Sequence, residues 1–452
     1  MKLQDLKNKK ILILGFGREG RDTFLFLRKL FPEKVLGIAD KNKISNLKTQ
    51  NSKIKLHLGK NYLKAIGDYD VIIKTPGISP KIFASQKLRK TSPKITSQAE
   101  IFFDNCPGKI VGITGTKGKG TTASLIYDIL KAGAASKEAS LALFGRRIKA
   151  HLIGNIGQPV LNYLFSATPK DVYVYELSSH QLQNLKKSPQ IAVFLNIYQA
   201  HLDYYKSFKE YIKAKANIVK YQGKKDVLVY NAQDPIVRKI AQKSKARKIP
   251  YNSTKYEFIT KIRNKISLVG KFNLENIMAA TAVGKIMGIS DRDIIKAVLN
   301  FKPLPYRLEY IGTYRGIKFY NDSLATVPDA VCRAIEALGN SVETIFLGGY
   351  EANVNYRALA KKVLASKIRN VILFPPSGKN IWAEITTAAK NKELPQHFWA
   401  KNMPEGVKWA YQQTQKGKIA LLSCGSPSYG LFKNYKERGN LFKQYVKKLA
   451  KN

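Results

Sequence analysis

Carboxylates are scarce in this chain of 452 residues: 31 Asp and Glu face 78 Lys and Arg, a formal net charge of +47. An acid at the end of an apolar run is therefore less readily dismissed as surface decoration. Cysteine is scarcer still. Cys106, Cys332 and Cys424 are far apart and form no C-x-x-C pair, which argues against a zinc site and a disulfide framework and points to the cytosol. Long apolar runs are also missing: nothing approaches the ~20 residues needed to cross a bilayer. The basic start MKLQDLKNKK leads into a short apolar run, ILILGFG, which reads as a first strand and not as a signal peptide. There is no internal repeat and no low-complexity stretch.

The positive charge raises nucleic-acid binding as one reading. The lysines, however, are spread through every segment instead of forming a tail or block, and no RNA- or DNA-reading motif accompanies them. Polyanionic small substrates are the better expectation, with no specific nucleic-acid partner. A hydrophobic content of 44% with regular strand–helix alternation predicts a globular α/β protein. The length predicts two or three domains.

Residues 112–122 read Gly-Ile-Thr-Gly-Thr-Lys-Gly-Lys-Gly-Thr-Thr, between an apolar strand over 109–113 and a helical run over 123–131. Glycines at 115, 118 and 120 let backbone N–H groups converge on phosphate oxygens. Lys119 adds a mobile positive charge, and the helix that follows directs its positive dipole end to the same spot. This predicts a nucleoside-triphosphate site. Gly120 stands where a P-loop has Ser or Thr, so a metal-binding hydroxyl has to come from Thr121 or Thr122.

The first segment pairs a strand over 11–14 with Gly15-Phe16-Gly17-Arg18-Glu19-Gly20, and a strand over 35–39 ends at Asp40. Alone, this Rossmann-type opening suggests a nicotinamide-dependent oxidoreductase, but G-x-G-x-x-G by itself is a weak signal. A strand over 71–74 runs into Thr75-Pro76-Gly77-Ile78, a turn at a strand's carboxyl end where ligands usually sit. In the second segment a strand over 172–175 ends in Glu176-Leu177-Ser178-Ser179-His180-Gln181-Leu182. A strand over 191–195 leads to His201, a helix over 207–220 carries Lys213 and Lys215, and another helix starts within Gly270–Asn276. Boundaries fall at Asn105–Gly108 and at Lys302-Pro303-Leu304-Pro305. Strands over 317–320, 344–347, 371–374 and 419–422 predict a second doubly wound sheet.

Together these motifs resemble the Mur ligases of peptidoglycan synthesis, along the whole chain. Within that family they most resemble the branch that joins D-glutamate to UDP-N-acetylmuramoyl-L-alanine. The carriers are GFGREG, GTKGKGTT, GNIG at Gly154–Gly157, ELSSHQL, the His201 and Lys215 segments, Asn273, LPYRLE, NDSLAT from Asn321 and LLSCGSPSYGLFKNYKERG from Leu421. The NDS-x-AT and S-P-S…F-K-N-Y-K-E-R-G elements discriminate best among related ligases.

The resemblance implies an α/β protein of three domains: a Rossmann-like UDP-sugar domain over 1–105, a P-loop ATP and Mg²⁺ domain with a mostly parallel sheet over 106–303, and a Rossmann-like amino-acid domain over 304–452. It implies ATP and Mg²⁺, a carbamate on Lys215, and a cytoplasmic monomer acting on small molecules. By position, Lys119, Glu176, His201 and Lys215 are the catalytic residues, and Thr121, Glu176, His201 and Lys215 the metal ligands. ATP falls to Gly115, Thr116, Lys117, Gly118, Lys119, Gly120, Thr121, Thr122, Asn273, Arg307 and Asp322. The UDP-sugar falls to Gly15, Phe16, Gly17, Arg18, Asp40, Gly77 and Asn155, and the amino acid to Thr326, Ser428 and Tyr435. Leu324 and Ala352 occupy positions where the family usually carries cations, so a sister ligase adding another amino acid is the alternative. The chemistry agrees with the resemblance. Making an amide from a carboxylate needs a leaving group, which an acyl phosphate supplies, and bringing two anions together calls for Mg²⁺ and lysines.

Overall fold

The computed structural model describes residues 1–44, 53–79, 81–84, 93–135, 148–155, 157–158, 160–201, 204–352, 354–390 and 392–451. Its strands form three sheets. The first contains β1 (Ile11–Leu14), β2 (Leu36–Asp40), β3 (Ile54–Leu58), β4 (Val71–Lys74) and β5 (Lys94–Thr96), in the order β3-β2-β1-β4-β5. The second contains β6 (Lys109–Thr114), β7 (Lys149–Gly154), β8 (Asp171–Glu176), β9 (Ile191–Phe194), β10 (Val227–Asn231) and β11 (Arg247–Tyr251), in the order β11-β10-β9-β6-β8-β7. Every pairing in these two sheets is parallel. Their central strands are buried along their length, as sheets covered by helices on both faces require.

The third sheet contains β12 (Glu309–Tyr314), β13 (Ile317–Asn321), β14 (Val342–Gly348), β15 (Asn370–Phe374), β16 (Gln396–Trp399) and β17 (Ile419–Leu422), in the order β12-β13-β17-β14-β15-β16. It is mixed, because β12 returns on β13 as an antiparallel hairpin at the edge. The α/β class expected from the sequence is thus present, with one antiparallel strand added to the otherwise parallel third sheet.

By internal contacts the chain forms two compact units. One comprises Met1–Asn264 with Glu275–Asn300; the other comprises Lys265–Leu274 with Phe301–Asn452. The first unit holds two sheets around a shared apolar core. Phe102, on the helix Gln98–Asn105, packs edge-on against Tyr173 and Tyr175 of β8, with ring centroids 5.2 and 5.9 Å apart. That core also takes in Ile11 and Ile13 of β1. Among the described residues no helix is long and apolar enough to cross a membrane.

The second unit packs an apolar core on each face of its sheet. Asn434 caps the last helix, Tyr435–Leu449, by accepting the N–H groups of Lys436 and Glu437 at 2.9 and 3.1 Å. Four residues into that helix Arg438 is completely buried. Its guanidinium donates to Ser323 Oγ at 3.0 Å, Ser323 O at 2.8 Å and Ser426 O at 3.1 Å. It thereby ties the NDSLAT turn to the SPS turn. Arg438→Lys keeps the charge but cannot present the planar fork. It is expected to lower stability by about 3 kcal/mol or more, since hydrogen bonds to buried charged groups contribute about 1.5–3 kcal/mol each. Chemical denaturation of wild type and variant checks this.

Candidate functional site

The glycine-rich loop leaves the carboxyl end of β6, and the helix Lys119–Ala135 begins inside the motif, earlier than periodicity alone indicates. Gly118 takes φ +83°, and a Cβ there would sit 2.2 Å from Asn276 Oδ1. Both the backbone sign and the space require glycine. The Thr122 hydroxyl donates to the same Asn276 oxygen at 3.3 Å. Asn196, just past β9, holds the other side of the loop: its Oδ1 accepts the Lys117 N–H at 2.9 Å and its Nδ2 donates to Lys117 O at 3.2 Å. Lys119 Nζ lies over the loop and donates to Gly115 O and Thr116 O at 3.0 and 3.1 Å.

Parallel pairing sets Glu176 opposite Ile113, one residue before the end of β6. Its side chain is buried, and Oε2 has no hydrogen-bond partner. Lys215 reaches the loop from the helix Phe208–Lys220, which Ser207 caps. Only 1% of Lys215 is exposed, and its Nζ donates to Gly115 O at 2.8 Å and Thr114 Oγ1 at 3.3 Å. Burial, reinforced by the positive charge of Lys119, pushes its ammonium well below the usual lysine range against the pull of Glu176. Tyr211 lies one turn earlier on the same face; the Lys215 ammonium stands 5.0 Å from its ring centre. The Tyr211 hydroxyl and Thr116 Oγ1 are hydrogen-bonded at 2.9 Å. His201 adopts φ +57°, and its ring lies 6.0 Å from Tyr211 and 5.0 Å from His180.

An orphaned, buried carboxylate oxygen beside a phosphate-type loop suits a hard cation, which prefers oxygen ligands. Among the described residues no three His, Cys, Asp or Glu side chains cluster as a complete metal site. Glu176, His201 and a threonine hydroxyl therefore fit Mg²⁺ only with a further anionic oxygen, the kind that a carbamate on Lys215 or a bound phosphate carries.

The residues expected at the UDP-sugar also gather within the first unit. Gly15, at φ +91°, would place a Cβ 2.1 Å from Thr75 Oγ1, so the first glycine turn packs directly on the turn holding Gly77. The Asp40 carboxylate accepts the Phe16 N–H at 2.7 Å. Gly17 precedes the helix Arg18–Leu30 as its cap. Arg18 donates to Gly157 O and, at 3.5 Å, to Asn155 O, joining GFGREG to GNIG.

Asn273, Arg307, Asp322, Thr326, Ser428 and Tyr435 belong to the second unit. Asn273 lies within the first turn of the helix Lys271–Ile286, and its side-chain amide donates to Val269 O at 2.7 Å. Asp322 accepts the Leu308 N–H at 3.2 Å and the Ser423 hydroxyl at 2.8 Å. It thus fixes the segment around Arg307, whose neighbours Tyr306 and Leu308 both have positive φ. Thr326 is half-buried and Ser428 buried. Tyr435 O accepts the Ser323 hydroxyl at 2.8 Å, which engages its backbone. Asn196, Asn276 and Tyr211 are the residues that sequence reasoning does not single out. Only the i, i+3 spacing of Asn273 and Asn276 hinted at a shared helix face.

Residues 113–284 match the family model of the Mur ligase middle domain. The UDP-N-acetylmuramoylalanine–D-glutamate ligase of Acetivibrio thermocellus is 33% identical, over 98% of this chain and 97% of that protein. The ligase of the same name from Clostridioides difficile is 32% identical, over 98% of this chain and 100% of that one. Among solved structures, the fold is similar to MurF ligase from Thermotoga maritima in complex with ADP, with a TM-score of 0.59 and 16% identity over 99% of this chain and 98% of that one. It is also similar to UDP-N-acetylmuramate-alanine ligase MurC from the same organism, with a TM-score of 0.56 and 16% identity over 98% and 100%. With nucleotide loop, buried lysine and strand-end glutamate in one unit and full-length similarity at this level, the chain belongs to the Mur ligase family, alongside its UDP-N-acetylmuramoylalanine–D-glutamate ligases.

Proposed function

We propose that this protein joins D-glutamate to UDP-N-acetylmuramoyl-L-alanine at the expense of ATP, with 1–105 receiving the UDP-sugar, 106–303 the ATP and 304–452 the amino acid. The observation that carries the site assignment is the pairing of a buried, unpartnered Glu176 oxygen with a buried Lys215 at the same loop. A bare nucleotide-binding loop needs neither. A nicotinamide oxidoreductase built on GFGREG leaves this loop without a use, and the Asp40 carboxylate already closes the first turn on Phe16.

The donor's terminal carboxylate attacks the γ-phosphorus of ATP; the bond to the bridging oxygen breaks and ADP leaves. The amine of D-glutamate then attacks the acyl carbon, loses its proton, and phosphate departs with the C–O electron pair. Lys119, whose ammonium lies over the loop on Gly115 O and Thr116 O, stabilises the charge on the transferring phosphoryl group. Thr121, Glu176, His201 and a carbamylated Lys215 would hold Mg²⁺, which when bound would cancel charge between the two anions. The Thr122 hydroxyl is engaged by Asn276, which favours Thr121 for the metal. Lys215 adds its neutral amine to CO₂, releasing one proton and forming a carbamate. The lowered proton affinity of this buried lysine supports that step, since only the neutral amine adds to CO₂. Arg307, on the segment that Asp322 fixes, serves the γ-phosphate, Asn273 the adenine, and Thr326, Ser428 and the Tyr435 backbone the amino acid's carboxylates.

Lys119→Ala should remove about 3 kcal/mol or more of transition-state stabilisation in a folded protein. Phosphate release dependent on both co-substrates measures this, and near-normal turnover would rule out the loop assignment. Thr121→Val should raise the Mg²⁺ concentration needed for half-maximal activity well above that of Thr122→Val. Coincident Mg²⁺ titrations for wild type and both variants would exclude either hydroxyl as a ligand. Lys215→Ala should lose most activity and regain part of it with a short carboxylic acid added, whereas exposed Lys213→Ala stays within about 0.5 kcal/mol of wild type. Full activity of Lys215→Ala without any additive would refute the carbamate.

A further inference from the structure

Behind the first glycine turn lies a polar cluster that the chemistry above does not use. Glu19, in the first turn of the helix Arg18–Leu30, accepts the Gln181 side-chain N–H on Oε1 at 2.7 Å. Gln181 Oε1 in turn accepts the Ser178 backbone N–H at 2.9 Å and the Ser178 hydroxyl at 3.1 Å. Ser178 lies in the run that begins at Glu176. Glu19 also faces Lys74, which is buried at the end of β4. Lys74 Nζ donates to Thr75 O at 3.1 Å and Ile78 O at 2.7 Å, bracing the turn that contains Gly77.

We propose that Glu19 is a positioning residue for ligation, its carboxylate tying the turn that receives the donor nucleotide to the loop behind the metal-site glutamate. The proposal rests on the function proposed above. Ionised Glu19 holds Gln181 by a charge-assisted hydrogen bond and Lys74 by charge attraction. Through those partners it fixes Ser178 on one side and Thr75–Ile78 on the other, two loops at the ends of strands from different sheets. The helix that carries Glu19 is itself pinned: Asp22 accepts from Gln98 at 2.7 Å and from Asn162 at 3.0 Å. A displacement on the order of 1 Å between such loops is enough to cost about 10²-fold in rate.

The charged and titratable groups around Glu19 are Asp22 and Arg18 on its own helix, Lys74 on β4 and Tyr175 on β8. Burial raises the Glu19 carboxyl to about 7, while Gln181, Lys74 and Arg18 pull it down. Burial also brings Lys74 to about 8, with Glu19 holding it up. The Glu19 arm is therefore half formed near pH 7 and lost as pH falls below that value, and the Lys74 arm weakens as pH rises through about 8.

Glu19→Gln keeps the size and a hydrogen-bond acceptor but removes the charge. In the full-length enzyme it is expected to raise KM for the UDP-sugar about tenfold and to leave KM for ATP within about twofold of wild type. It should also flatten the acid limb of kcat/KM near pH 7. A wild-type KM with an unchanged pH profile overturns the proposal. Should Glu19→Gln fail to fold, Gln181→Met cuts the same tie and leaves the carboxylate in place. It is expected to raise the same KM by a similar factor, and a wild-type KM there overturns the proposal equally. Wild-type protein that releases no phosphate with UDP-sugar, D-glutamate and ATP defeats the ligase assignment instead, so the two failures are distinguishable.

Discussion

The register of one strand is the constraint on which the rest of the site depends. β6 lies between β8 and β9, with Ile113 opposite Glu176 and Thr114 opposite Phe194. This places the start of the nucleotide loop, the buried glutamate and the Asn196 clamp at one level of the sheet. A slip of one residue would turn Glu176 to the other face and carry Asn196 away from Lys117. Every interior position of these strands is apolar and buried, so the register is held by the core and not by the polar groups it aligns.

That division of labour explains what the sequence made legible. The interior strands β1, β4, β6, β8, β9, β14, β15 and β17 read as apolar runs because both of their faces are covered. The strands that pattern reading passed over are mostly edges: β3, β5, β7, β11, β12 and β16 each border a sheet. Their burial is partial or one-sided, and lysines interrupt two of them, Ile-Lys-Leu-His-Leu of β3 and Arg-Lys-Ile-Pro-Tyr of β11. β10 is the exception: it is apolar and mostly buried, and at five residues it is longer than β1, β4, β9 or β17, so its length does not account for its being passed over.

Within the site, residues that act through local backbone geometry were readable, whereas those that act across the fold were not. Gly118 announces itself in a glycine-rich loop; the reason for it, Asn276, lies far along the chain. Lys215 is one lysine among many in this composition, and what marks it is the tertiary setting, buried on Gly115 O while Lys213 of the same helix is exposed. The Arg18 contact with GNIG and the Glu19–Gln181 contact likewise join motifs that stand apart in the sequence.

The strand order of the third sheet bears on how the chain is made. Its central strand β17, between β13 and β14, is the last of the six to be synthesised, and Arg438, which locks the Ser323 and Ser426 turns together, comes later still. During translation β13 and β14 each present an unpaired edge until residues 419–422 emerge, so this sheet closes by insertion and not by growth from one side. The first sheet has the opposite order, with β1 at its centre, and can add neighbours outward as the chain lengthens. The first sheet is thus suited to form during synthesis, while the third closes only when nearly all of its strands have been made, which prolongs the exposure of its edges.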